Sequence, residues 1–301
     1  MTNMLIALLV PIILATLVFT IVLLRAAIVK RAKPTLESIM LGAFVSFFDT
    51  LGIGCFAPST AWLKFRHLVP DGLIPPTILV GLTITAVVES IIFLLQLGVK
   101  VDPVLLVGCI VACTTGGLLG AGLVHKTRVW IVQLVVAIGL FLAAIAYGMA
   151  NLKLFPGGGT ASSLPLDLTI VAIAANFIIG ILLNYGVGNY APTLVMLSLM
   201  GMDPRLCFPV MAGAAGLMGA TAGIRHINTG RIDLRVVLGL TIGGIPAVLV
   251  AAYLVVAIFE IDTLRWLVLV VVLYAAIIMF QASRRGRRDH EAKGGTSPIL
   301  E

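Results

Sequence analysis

Residues 168–202 run for 35 positions without a charged side chain. A straight helix crosses a hydrocarbon core of roughly 30 Å with about 20 apolar residues. A helix of that whole stretch would be about 52 Å long and has no simple place in a bilayer. The same difficulty recurs at 38–63, where a single helix would measure about 39 Å. Both stretches carry a Gly-x-Gly and then a proline near the middle. Gly52-Ile53-Gly54-Cys55-Phe56-Ala57-Pro58 in the first answers Gly186-Val187-Gly188-Asn189-Tyr190-Ala191-Pro192 in the second. Glycine frees the backbone and proline removes a hydrogen-bond donor, so each helix is predicted to break there.

The rest of the chain is simpler. Stretches 4–24, 73–99, 103–124, 129–152, 206–224, 236–259 and 266–283 are uncharged or nearly so, and each fits one crossing. Only 11% of the 301 residues are charged and 60% are hydrophobic, whereas a soluble domain carries about 25% charge. The expected fold class is therefore all-α, a polytopic membrane protein. The run from Met4 to Leu24 is too long for a signal-peptide core and has no basic residue before Arg25, so it reads as a retained span.

Much of the formal charge of +7 sits in Arg25–Lys33 and in Arg284, Arg285, Arg287, Arg288 and Lys293. Basic clusters beside spans are orientation signals, a simpler reading than nucleic-acid binding. The four cysteines lie in apolar stretches without His partners at ligand spacing. They read as buried small side chains, and neither a metal nor a cofactor is implied.

The two long stretches lie 134 positions apart and each is followed by three ordinary spans. Gly98-Val99-Lys100-Val101-Asp102 resembles Gly230-Arg231-Ile232-Asp233 at corresponding places. The chain is thus expected to comprise an N-terminal helix with a basic loop (1–35), a first repeat (36–150), a linker (151–166), a second repeat (167–283) and a charged, disordered tail (284–301). If each long stretch is a hairpin that re-emerges on its starting side, 16 of the 20 Lys and Arg fall on the cytoplasmic side, against 14 if both cross fully. The hairpin arrangement fits the positive-inside rule better, puts the N-terminus outside and the C-terminus in the cytoplasm, and makes the second repeat enter inverted.

A backbone break at membrane depth survives only where it lines a cavity or is buried in protein. Two breaks in inverted halves would meet near the midplane, and the helices restarting after them would offer free N–H groups and partial positive charge to an anion. Gly52, Gly54, Gly186 and Gly188 would shape such a site, with Cys55 at the first break. Ser59, Asn184, Asn189 and Thr193 would donate hydrogen bonds. Gly116-Gly117 and Gly243-Gly244 read as helix-packing glycines. Asp49 and Glu89, acids inside apolar spans, are candidates for proton coupling or gating, since a carboxylate opposes an anion unless protonated. Arg225 and His226, at a predicted cytoplasmic span end, are a candidate entry collar.

The glycine-rich break followed by Ala-Pro, the duplication, and the span end His226-x-x-x-Gly230-x-Ile232-Asp233 resemble the TauE/SafE family of sulfite and organosulfur anion exporters over about 38–280. The resemblance implies export of a small sulfur-containing anion, such as sulfite or sulfoacetate, across a bacterial-type inner membrane. The partners it implies are that anion and the bilayer, with homodimerisation open. An anion channel is the alternative from another class. An intramembrane enzyme is less favoured, since no His lies mid-span and neither H-E-x-x-H nor G-x-S-x-G occurs.

Overall fold

The computed structural model describes residues 2–51, 54–70, 73–123, 129–152, 159–184, 187–257 and 261–292. Among them are eleven α-helices: α1 (Thr2–Val29), α2 (Leu36–Thr50), α3 (Phe56–Phe65), α4 (Ile74–Gln96), α5 (Pro103–Leu123), α6 (Val129–Asn151), α7 (Leu166–Leu183), α8 (Tyr190–Leu199), α9 (Pro204–Thr229), α10 (Leu234–Ala257) and α11 (Ile261–Ala292). Six of them contain stretches long and apolar enough to cross a membrane: Leu5–Val29, Ile74–Gln96, Pro103–Gly120, Leu166–Leu183, Pro204–Thr229 and Leu234–Tyr253. The protein is a multi-pass, all-α membrane protein.

Helix starts follow from local chemistry. Thr35 caps α2 in a reciprocal box with Ser38. Asp203 caps α9, accepting from the Arg205 amide, and Pro204 occupies the first turn, where its missing N–H costs nothing. Gly230 ends α9 at φ 69°, the left-handed position that glycine takes most cheaply. The repeated Gly-to-Asp motif has a physical role in these terms. Asp102 accepts from the Leu105 amide at 3.0 Å at the start of α5, and Asp233 accepts from Arg235 and Val236 at the start of α10.

Both long stretches are interrupted: α2 stops at Thr50 and α3 begins at Phe56, while α7 stops at Leu183 and α8 begins at Tyr190. The far ends of each pair come back together. Glu37, in the first turn of α2, accepts from Arg66 Nε at 2.8 Å and from Trp62 Nε1 at 3.2 Å, both at the end of α3. Ahead of α7, the Ala161 amide donates to Gly201 and its carbonyl accepts from Asp203, both beyond α8. Each short second helix therefore returns towards the place its partner set out from.

Helices α4 and α9 pack against each other at the centre, with α10 against α2 and α4, and α5 against α7 and α9; α6 pairs with α11, and α1 lies on α9. Apolar side chains cannot drive such contacts inside lipid, so close backbone approach must. Glycine supplies it. A Cβ on Gly180 would strike the Cys113 carbonyl, one on Gly116 the Phe177 carbonyl, and one on Gly243 the Ile39 carbonyl. The outer faces stay apolar: Leu14, Val29, Leu119, Phe141 and Tyr253 are all exposed.

The described part of the tail, residues 284–292, differs from the expectation of disorder. Helix α11 runs on through Arg284–Arg288 to Ala292. Ser283 donates to the Trp130 carbonyl at 2.7 Å, Arg284 lies over the Phe280 ring, and Arg287 pairs with Glu291 one turn on. These contacts extend a helix that lipid-facing packing has already nucleated.

Candidate functional site

The two breaks meet. A single cavity of about 40 Å³ is lined by Gly54, Cys55 and Phe56 from the first and by Gly188, Asn189 and Tyr190 from the second. Helix α2 contributes Asp49, α4 contributes Thr83 and Ala86, and α9 contributes Met218 and Gly219. That volume has room for about three water molecules. A second cavity lies on another side of the same residues: Gly54, Phe56, Gly188 and Tyr190 line both, with α6 supplying Leu140 and α11 supplying Tyr274 and Met279 to the second. The 134-residue offset that pairs Gly54 with Gly188 also pairs Phe56 with Tyr190. Two glycines and two aromatic rings thus stand between two spaces walled by different helices.

Local conformation follows from the residues present. Gly54 sits at φ 86°, where an L side chain is strained, although a Cβ there would have open space around it. Gly54→Ala is therefore expected to cost about 1 kcal/mol through the backbone alone, read as a lower melting temperature in detergent. A Cβ on Gly188 would find only the Phe56 ring, at 4.0 Å. Neither α3 nor α8 has a side-chain cap: Cys55 and Asn189 occupy the N-cap positions without bonding their first turns. Those first turns keep backbone N–H groups available, and each helix adds the partial positive charge of its N-terminus.

The site residues expected from sequence do not all come together. Gly54, Cys55, Gly188 and Asn189 line the cavity together with Asp49. Glu89, on α4, is 1% exposed and within electrostatic reach of Asp49. Ser59 and Thr193 are fully buried one turn into α3 and α8 and do not line the cavity. Gly52 and Gly186 lie outside the described residues. Arg225 and His226 end α9 and line neither cavity.

Several hoped-for donors are already committed. Asn184 Nδ2 donates to the Gly117 carbonyl at 3.0 Å, Asn189 Nδ2 to the Met211 carbonyl at 2.9 Å, and Thr193 Oγ1 to Asn176 Oδ1 at 3.3 Å. These three side chains tie neighbouring helices together. No Lys or Arg lines either cavity among the described residues. Sequence reasoning missed Tyr190, Phe56 and Asn176. The first two were marked by the same offset as the glycines, and Asn176 by being an amide within an otherwise apolar helix.

Comparison with known proteins separates the two halves of the chain. The match is to the sulfite exporter TauE/SafE family, over residues 168–300. That segment includes the second break and all of α8 to α11. Over those residues the chain is similar to a family of membrane-embedded sulfite exporters. The first half lies outside the TauE/SafE match. No curated protein and no solved structure matches the chain.

Proposed function

We propose that the protein is a secondary carrier that exports a small sulfur-containing anion, sulfite or an organosulfonate such as sulfoacetate, through a site between the two breaks. The observation that carries this reading is the one cavity shared by Gly54, Cys55, Gly188 and Asn189 from two distant parts of the chain. The anion is held by first-turn amides of α3 and α8, where the helix dipoles favour negative charge. Residues 36–150 and 167–283 act as two inverted repeats. Their support is the reciprocal packing, α2 on α10 and α7 on α5, with α4–α9 and α6–α11 pairing across the halves. Interrupted helices in matching places of two halves are the usual setting of a carrier site.

The two spaces on either side of Gly54, Phe56, Gly188 and Tyr190 support alternating access, with the paired aromatic rings as the barrier that moves. The N-terminus lies outside and the C-terminus in the cytoplasm. A membrane potential negative inside then drives each exported charge outward by roughly 2.3 kcal/mol per 100 mV.

The test is exchange of labelled anion in proteoliposomes, with sulfite, sulfoacetate, thiosulfate and chloride compared. The expected result is saturable exchange of at least one sulfur anion and far slower exchange of chloride. Unsaturable flux of all four would replace the carrier with a channel.

A further inference from the structure

We infer that the Asp49–Glu89 pair binds one proton together with the anion, so that each anion crosses in company with a proton. This rests on the anion site proposed above and specifies its energetics.

The observation is a set of buried polar atoms on α2, α4 and α8. Asp49 Oδ1, Glu89 Oε1, the Tyr190 hydroxyl and the Ser46 and Ser90 hydroxyls are all inaccessible and without hydrogen-bond partners. Tyr190 is 3% exposed and belongs to the second break, yet its hydroxyl faces Glu89 on α4. Asp49 faces Cys55 and lines the cavity. Asp49 thus stands beside the anion space, and Tyr190 from the opposite half reaches Glu89.

The described groups that act on the pair are Cys55 at the first break, Thr50 on α2 and Tyr190 on α8. From α9 the cavity receives Ala215, Met218 and Gly219, and the α10 face beside Ser46 is Gly244. None of these is a cation. Two neighbouring carboxylates withdrawn from water without a counter-charge cannot both stay ionised cheaply, and one proton on the pair relieves the cost. An anion arriving beside them adds a further like charge and draws a proton onto the pair; leaving, it lets the proton go. Electrostatics therefore couples anion and proton positively, which is the sign of co-transport and opposite to exchange.

The charge balance is explicit. A dianion carrying one proton moves one net negative charge, so the membrane potential still favours exit. A monoanion carrying one proton moves none and leaves only down its own gradient and that of the proton.

The experiment uses proteoliposomes with sulfoacetate, whose own charge is constant between about pH 6 and 8. Potential is clamped at zero by potassium and valinomycin, and sulfoacetate starts equal on both sides. A lumen one unit more alkaline than the bath is expected to accumulate sulfoacetate up to about tenfold, the value for one proton per anion. Accumulation that stays at unity while labelled exchange remains saturable overturns the coupling and leaves the anion site standing. Absence of saturable exchange with sulfoacetate overturns both. In Glu89→Gln and Asp49→Asn, gradient-driven accumulation is expected to vanish, and the rate of any remaining exchange to lose its fall with rising pH. Variants that melt as the wild type does yet accumulate tenfold would overturn the assignment to this pair, and the wild-type measurement stands whether or not they fold.

Discussion

Gly188→Leu is expected to reduce saturable anion exchange to the level of protein-free vesicles while leaving membrane insertion intact. A Cβ at Gly188 meets only the Phe56 ring, at van der Waals distance, so the backbone has no reason to move. The remaining atoms of leucine must then occupy one of the two cavities that Gly188 lines, and neither has room for both a side chain and an anion. A leucine there also removes the polarity of the space by covering the α8 first turn. The checks are labelled exchange in proteoliposomes beside size-exclusion and melting profiles in detergent. Wild-type exchange in a correctly inserted Gly188→Leu protein would move the site elsewhere.

Gly180→Leu is expected to have a large effect on the fold. Gly180 lies where α7 crosses α5, and even a methyl group there would run into the Cys113 carbonyl with no flexible neighbour to yield. Overpacking typically costs about 1–3 kcal/mol, and more where backbone must part. The separation would also pull Asn184 from the Gly117 carbonyl and unfix the second break. The measurement is thermal unfolding in detergent, with Gly139→Leu as the comparison, since a Cβ at Gly139 touches nothing. Equal melting temperatures for the two variants would show that the α5–α7 crossing does not depend on close approach.

These two glycines look alike in sequence and differ in use. Gly180 sits in an uninterrupted helix and serves contact, whereas Gly188 sits in a break and serves space. The distinction was legible at the breaks, because Gly-x-Gly before Ala-Pro removes two constraints on the backbone and one donor within a few residues. It was not legible at Asn184, Asn189 and Thr193. A polar side chain beside a break can point to a ligand or to a neighbouring carbonyl, and only the packing of α5, α9 and α7 decided for the carbonyl.

Composition, the lengths of uncharged runs and the Gly-x-Gly to proline motifs determined on their own that the chain lives in a bilayer, roughly where its helices lie, and where two of them break. Those properties depend on neighbours along the chain: the span length that lipid demands and the backbone freedom of particular residues. The paired breaks also led to the expectation that they meet, but tertiary structure alone decided that Phe56 and Tyr190 stand between two cavities and that Asp49, Glu89 and Tyr190 gather from three helices. Contacts between residues more than a hundred positions apart are set by which helix faces pack, and no local pattern in the sequence encodes that choice.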